Sequence, residues 1–211
     1  MLFSMMNSVK NNPKRGRPTG SSNPTYILSN NQIRNLYNVC CGKFGLRNRA
    51  IISLGLHSGA RIGTIMGLTC DQLVDRHGKC RPSYIVQANN EKSNRVNRYY
   101  ISKQGQKFIQ DYINSIEVIT GKPLFPSSRT GGFMTANSGS RLISRLLKSA
   151  DIDDNSSHFM RKQFSSTLYT KHSIGIVELS TLLNHTDISN TKKYIQGLQP
   201  NIENAMKNLS Y

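Results

Sequence analysis

The chain has 211 residues, room for one well-cored domain and too few for two comfortable ones. Hydrophobic residues make up 36% of it, and no apolar run approaches the ~18 residues that a membrane span needs, so a membrane-spanning helix is not expected. Lys and Arg number 28 against 11 Asp and Glu, a formal net charge of +17, and a chain so self-repelling points to a polyanionic partner, most commonly nucleic acid.

A highly soluble surface and an anionic-membrane binder are the plainer readings of that charge. The opening MLFSMMNSVK has an apolar patch but neither a preceding basic region nor a small-residue cleavage site, so it does not read as a signal peptide. A soluble, cytoplasmic or nucleoid-associated protein is expected. Cys40, Cys41, Cys70 and Cys80 show neither CxxC pairs nor zinc spacing. Cys40 and Cys41 are expected on different sides of a helix, and all four as free thiols in a reducing compartment.

Residues 1–28 form the first unit. The first 25 are rich in Asn, Ser, Pro and Gly, include Lys10, Lys14, Arg15 and Arg17, and contain no acid, which predicts a disordered basic tail. Within it, Pro13-Lys14-Arg15-Gly16-Arg17-Pro18 resembles an AT-hook. An extended Arg-Gly-Arg-Pro fits a narrow A·T minor groove, and a generic basic tail is the alternative. A second unit, 29–211, is the expected catalytic domain.

Ser29-Asn30-Asn31-Gln32 is a capping-box pattern, and Ile33, Leu36, Tyr37 and Cys40 share one face of the helix it opens. A second helix is predicted from Leu46 to His57, burying Ala50, Ile51, Leu54 and Gly55, and Ser58-Gly59 breaks it. Arg61 opens a short helix with Ile62, Ile65, Met66 and Leu68. Arg76–Lys79 reads as a turn into two strands, Pro82–Val86 and Val96–Ile101, joined by a polar stretch that holds Lys92 and Arg95. Phe108, Ile109, Tyr112, Ile113 and Ile116 mark a helix from Ser102 that Thr120–Pro123 ends. Further helices are predicted around Leu142–Leu147, His158–Tyr169, Ile174–Leu183, Ser189–Ile195 and Ile202–Leu209. The fold class is mainly α with a small antiparallel β-sheet (α+β).

Arg161 follows His158 by three residues, one helical turn, so both project from one face. His185 comes 24 residues after Arg161, and Tyr194 nine after His185. Arg61 sits just beyond a glycine that permits a sharp turn. An isolated tyrosine among nine is ordinarily packing; these companions single out Tyr194. His57, His77 and His172 lack such companions and read as ordinary histidines.

Ser58-Gly59-Ala60-Arg61-Ile62, continued by Leu68-Thr69-Cys70-Asp71-Gln72-Leu73, resembles the first-arginine motif of the tyrosine recombinases, the phage-integrase family. Leu124-Phe125-Pro126-Ser127 is similar to the segment before that family's second half. His158-Phe159-Met160-Arg161 resembles its His-x-x-Arg box, Leu182-Leu183-Asn184-His185 its Leu-Gly-His box, and Thr191-Lys192-Lys193-Tyr194 its nucleophile segment. The resemblance spans roughly Ser29 to Tyr194. It implies that Tyr194 attacks a DNA phosphodiester to form a 3′-phosphotyrosyl link, with Arg61 and Arg161 on the non-bridging oxygens. It implies Lys92 as the acid for the leaving 5′-oxygen, His158 as general acid/base, and His185 as support for phosphate or Tyr194. Lys79 and Lys103 are the competing candidates for the lysine, but only Lys92 falls between the strands. Arg95 and Arg98, with Lys14, Arg15 and Arg17, are candidate DNA-binding residues.

Physical chemistry fits these roles. Two guanidiniums offer bidentate donors to a dianionic transition state, and each such contact is typically worth ~10²–10³ in rate. A phenol of pKa ~10 needs a base or cationic surroundings to attack. The covalent link conserves the phosphodiester's energy, so no ATP, metal or other cofactor is expected, and the sequence shows no carboxylate cluster suited to magnesium.

Thr64 stands where the family often has an acid, Lys162 where a histidine is frequent, and Asn184 where glycine is usual. Relatives in the family carry a helical core-binding domain before the catalytic one, whereas 28 residues precede the capping box here, so a compact member without that domain is expected, its AT-hook-like tail partly replacing the clamp. Double-stranded DNA, a homotetramer on it and accessory DNA-bending proteins are the expected partners. The C-terminal helix, with Ile202, Ala205, Met206 and Leu209, suits docking on a neighbouring protomer or packing on its own core. A DNA-binding regulator of the same fold and a type IB topoisomerase are the alternative functions.

Overall fold

The structure is a computed structural model that describes residues 27–87, 96–154, 158–195 and 198. The expected tail, the strand connection holding Lys92 and Arg95, and the expected helix Ile202–Leu209 lie outside the described residues. No helix among those described is long and apolar enough to cross a membrane.

The first helix, α1 (Asn30–Asn38), opens on the capping box read from the sequence. The Gln32 N–H donates to Ser29 Oγ at 3.2 Å, and Gln32 Oε1 accepts from the Ser29 N–H at 3.0 Å, which satisfies two otherwise orphaned donors. Cys40 and Cys41 lie beyond the end of this helix, contrary to expectation. Val39 caps it, after which Cys40 is buried and Cys41 exposed, and all four cysteines are free.

A 3-10 turn (Gly42–Phe44) leads into α2 (Gly45–Ser58). Ala50, Ile51, Ile52, Ser53, Leu54 and Gly55 are all buried, so α2 is covered on every side and forms the axis of the domain. It packs chiefly on α5 (Lys103–Ile113) and α7 (Phe159–Lys171). Its end has a local cause: Gly59 takes a left-handed φ of +67°, and its N–H donates to the Gly55 carbonyl. A Cβ at Gly59 would also sit 2.4 Å from the Phe164 ring, so both backbone and space require glycine there.

Two short helices follow, α3 (Ile62–Met66) and α4 (Cys70–Leu73). The α4 turn was not foreseen; in it Gln72 Oε1 accepts from the Thr69 N–H at 2.9 Å. Strands β1 (Ser83–Val86) and β2 (Asn97–Tyr100) pair antiparallel, Tyr84 opposite Tyr99. The alternation buries Tyr84, Val86, Asn97 and Tyr99 and turns Ile85, Arg98 and Tyr100 outward. The Tyr84 and Tyr99 rings stack with centroids 5.2 Å apart.

Helix α5 stops at Ile113, well before the expected Thr120–Pro123. Asn114 is its C-cap, and Ser115 Oγ donates to the Tyr112 carbonyl at 2.7 Å, satisfying a free helix-end acceptor. Helix α6 (Ala136–Ser149) is longer than the predicted Leu142–Leu147 because Thr135 caps it: its side chain accepts from the Ser138 N–H. Helix α8 (Ile176–Leu182) begins two residues later than expected, after Ser173 at φ +53° and the N-cap Gly175. Helix α9 (Ser189–Ile195) has the expected bounds.

The core has two parts. The larger surrounds α2 and draws on α1 through α7 and both strands. A smaller one, Leu179, Leu183 and Ile195, joins α8 and α9 to the flank of α7 through Phe164, Leu168 and Tyr169.

Candidate active site

Arg161 lies in the first turn of α7 and is 1% exposed. A buried guanidinium calls for partners to its donors, and two chain segments supply three of them. Nη1 donates to the Gly59 carbonyl at 2.6 Å, and Nη2 to the Leu183 carbonyl and to His185 Nε2, the last at 3.1 Å. The left-handed turn after α2 and the end of α8 are thereby fastened to one side chain. Nε is buried with no partner. Burial, then the nearby charge of Arg61, lowers the Arg161 pKa, while Tyr194 and Tyr99 act in the opposite sense.

Arg61 is the N-cap residue of α3, half-buried, two residues past Gly59. Its charge bears on both Arg161 and His185. The two arginines thus face one locality, from segments far apart in the sequence.

His185 sits between α8 and α9, directly after Asn184, whose φ is +50°. That left-handed residue is where the tyrosine recombinase pattern usually has glycine, and asparagine is among the few other residues that adopt this conformation readily. Arginine can only donate, so His185 Nε2 is the acceptor and carries no proton. The proton is therefore on Nδ1, which donates to Thr191 Oγ1 at 2.7 Å. Burial, then Arg161, Arg61 and His158, push the His185 pKa down to about 4, so the ring is neutral at pH 7.

Tyr194 is on α9, one turn after Thr191. Its carbonyl accepts from Ser166 Oγ of α7 at 3.1 Å. Its hydroxyl lies 3.4 Å from His158 Nδ1, and its ring centroid 5.6 Å from that of His185, tilted by 45°. His158 is the exposed N-cap of α7, not part of its first turn as the spacing suggested. Its ring still reaches the phenol from the solvent side.

Arg61, His158, Arg161, His185 and Tyr194 are thus brought into one locality. Arg98 is not. It projects from the outward face of β2 and donates to Ser83 Oγ at 3.3 Å. Lys92, Arg95, Lys14, Arg15 and Arg17 lie outside the described residues. The competing lysines are exposed, Lys79 after the β-turn and Lys103 at the start of α5. Two contacts went unforeseen: Thr191, fully buried against His185, and Ser166 under Tyr194. Thr191 stood in the quoted nucleophile segment, but nothing in its spacing singles out a hydroxyl that meets an imidazole across a loop. Among the described residues no group of three or more His, Cys, Asp or Glu is placed to hold a metal ion.

The family model described as "Phage integrase family" matches residues 27–199. The chain is 28% identical over 158 residues to tyrosine recombinase XerC of Syntrophus aciditrophicus (strain SB), covering 72% of this chain and 49% of that protein. It therefore spans about half the length of that curated relative. Among solved structures, XerA recombinase superposes with a TM-score of 0.66 at 18% identity, over 88% of this chain and 66% of that one. The Tn1549 transposon integrase in complex with a circular intermediate DNA gives 0.66 at 18%, over 89% and 67%. XerH bound to a palindromic difH substrate gives 0.64 at 15%, over 87% and 53%. At such identities the structural likeness speaks to fold.

Proposed function

This chain belongs to the phage integrase family, and from that premise we propose that it is a site-specific DNA recombinase working through a 3′-phosphotyrosyl intermediate. The observation that carries the reading is the convergence of Tyr194, His158, His185 and two arginines on one spot. A phenol, a base within reach of its proton, and fixed positive charge are what attack on a phosphodiester requires.

In the first step Tyr194 Oη bonds to phosphorus and the P–O5′ bond breaks. The phenol proton passes to His158 Nδ1, 3.4 Å away. Lys92, from the connection between β1 and β2, supplies the proton that the leaving 5′-oxygen takes up. Arg61 and Arg161 stabilise the charge that builds on the non-bridging oxygens. For Arg161 the donors left to an oxyanion are Nε–H, which is without a partner, and the second proton of Nη1. His185, neutral, holds Arg161 Nη2 rather than adding charge of its own. Rejoining reverses the step: a 5′-hydroxyl attacks the phosphotyrosine, one ester replacing another, so the sequence of steps needs no external energy source.

Double-stranded DNA carrying a recombination site is the partner this reading requires, met by a homotetramer in the cytoplasm or on the nucleoid, with DNA-bending proteins as accessories. Residues 29–211 are assigned to the catalytic domain. Lys14, Arg15 and Arg17 of the basic tail, with Arg95 and Arg98, are assigned to the duplex. Removing residues 1–25 is expected to weaken binding and its A·T preference.

The test is to incubate the protein with nicked suicide duplexes tiled across the DNA that flanks its own coding sequence. A covalent adduct at a 3′ end, absent with Tyr194→Phe, is expected. Tight binding without adduct on any duplex would leave a DNA-binding regulator. Relaxation of supercoiled plasmid without sequence preference would indicate a type IB topoisomerase.

A further inference from the structure

We propose that Thr191 is a positioning residue for strand cleavage: its buried hydroxyl accepts from His185 Nδ1–H and holds the ring in the orientation that keeps its hydrogen bond to Arg161. The proposal rests on the recombinase reading and adds a group to its machinery.

The hydrogen bonds of the His185 ring depend on one another. Arg161 Nη2 lies 3.1 Å from Nε2 and has only protons to offer, so Nε2 must present a lone pair. A neutral imidazole with a bare Nε2 carries its proton on Nδ1. That proton needs an acceptor, and Thr191 Oγ1 stands 2.7 Å away. Thr191 is 0% exposed, so no solvent oxygen reaches the same place without a change in packing. Without the hydroxyl, Nδ1–H is a donor held away from water with nothing to meet it. Moving the proton to Nε2 would set it against the Arg161 donor, so the ring instead turns to bring Nδ1–H toward another acceptor and draws Nε2 away from Nη2.

The placement of Thr191 couples this network to the nucleophile. Thr191 precedes Tyr194 by one turn of α9, so the helix that presents the phenol also carries the group that sets the imidazole. Arg161 in turn holds the carbonyls of Gly59 and Leu183. The chain of contacts runs from α9 through His185 and Arg161 to the turn that precedes Arg61. The charged and titratable groups facing His185 are Arg161 and His158 from α7, Arg61 from the start of α3, and Tyr194 from α9.

The experiment uses the whole chain with ¹⁵N-labelled histidine, the His185 signals being assigned by their loss in His185→Asn. Long-range proton–nitrogen correlation at pH 7.5 reports which ring nitrogen carries the proton. Nδ1–H is expected in the unaltered protein and in Thr191→Ser, which keeps the hydroxyl. Thr191→Val, of nearly the same shape, is expected to keep Nδ1–H but to move the Nε2 resonance toward that of a nitrogen accepting no hydrogen bond. On a nicked suicide duplex, Thr191→Val is expected to form the covalent adduct about 10- to 100-fold more slowly in a single turnover, with unchanged DNA affinity, while Thr191→Ser stays close to the unaltered rate.

Nε2–H in the unaltered protein would overturn the proposal, whether or not the valine variant folds. So would a Thr191→Val rate equal to the unaltered one, or a Thr191→Ser rate as low as that of valine, which would make packing the cause. Failure of the recombinase reading looks different. It is the unaltered protein giving no adduct on any duplex while the ring still shows the Nδ1–H tautomer.

Discussion

The two hydrophobic cores differ in size and in what they carry. The one around α2 gathers residues from α1 through α7 and both strands, among them Ala60 and Ile62 beside Arg61, and Phe159 and Met160 before Arg161. The one under α8 and α9 rests on Leu179, Leu183 and Ile195, leans on a single flank of α7, and carries His185 and Tyr194. On the recombinase reading proposed above, phosphate-facing charge is thus anchored in the larger body and the nucleophile in the smaller. Preorganised charge is useful only if it does not move, whereas a nucleophile must be delivered and then carry its DNA. Apolar area buried sets how much a unit resists opening, so the division places resistance where the chemistry needs it.

The largest effect that tests this contrast is Leu54→Ala. Leu54 is fully buried in α2, and its truncation is expected to cost about 3–5 kcal/mol of global stability, read as a shift in the denaturant midpoint. Leu183→Ala removes an equally buried side chain from the smaller core, yet its effect should stay local. Amide exchange is expected to accelerate in α8 and α9 while the amides of α2 and α5 keep their protection. Uniform acceleration across the molecule would show that the two cores open as one.

Arg161→Ala sharpens the contrast because Arg161 is a polar tie between the two bodies. It strips a donor from the Gly59 and Leu183 carbonyls at once, at an expected cost of about 2–4 kcal/mol, and abolishes adduct formation. A gentler probe is acid. His185 has its pKa pushed down to about 4, so the unfolded chain takes up a proton near pH 6.5 that the folded chain refuses. Its contribution to stability is complete above that pH and is lost as pH falls toward 4. Burial also lowers the His57 pKa, which adds in the same direction. Urea midpoints measured at pH 7.5, 6 and 5 should therefore fall less steeply in His185→Asn than in the unaltered protein. The smallest expected effect is at Asn184. Replacement by alanine at φ +50° should cost about 1 kcal/mol, and replacement by glycine close to nothing.

Much of this is legible in the sequence. Ser29 and Gln32 announced the first helix because a capping box is a local device, and Ser189–Ile195 kept its bounds. The ordered boxes around Arg61, His158, Arg161, His185 and Tyr194 predicted the residues that come together. What stayed hidden is contact between distant segments. Nothing in the spacing of His185 and Thr191 distinguishes a hydrogen bond from two side chains facing apart. The His-x-x-Arg spacing suggested two groups sharing a helix face, but His158 lies at the mouth of α7 and Arg161 is buried behind it. The end of α5 was misplaced because Ile116 continues the apolar periodicity past Asn114, and periodicity does not register a cap.

Two of the partners that hold Arg161 are main-chain carbonyls, those of Gly59 and Leu183. Every residue type carries that oxygen, so the arginine's setting is inherited from the path of the backbone and not from the side chains along it. Glycine is still demanded at position 59 by its own geometry, but Leu183 contributes to Arg161 nothing that a different apolar residue would withhold. For anyone diversifying this protein to retarget it, the arginine seat is a fixture that travels with the scaffold. On the recombinase reading proposed above, library positions can be spent on the surface that would meet the duplex, and variants recovered from such libraries should keep the cleavage step while their sequence preference drifts.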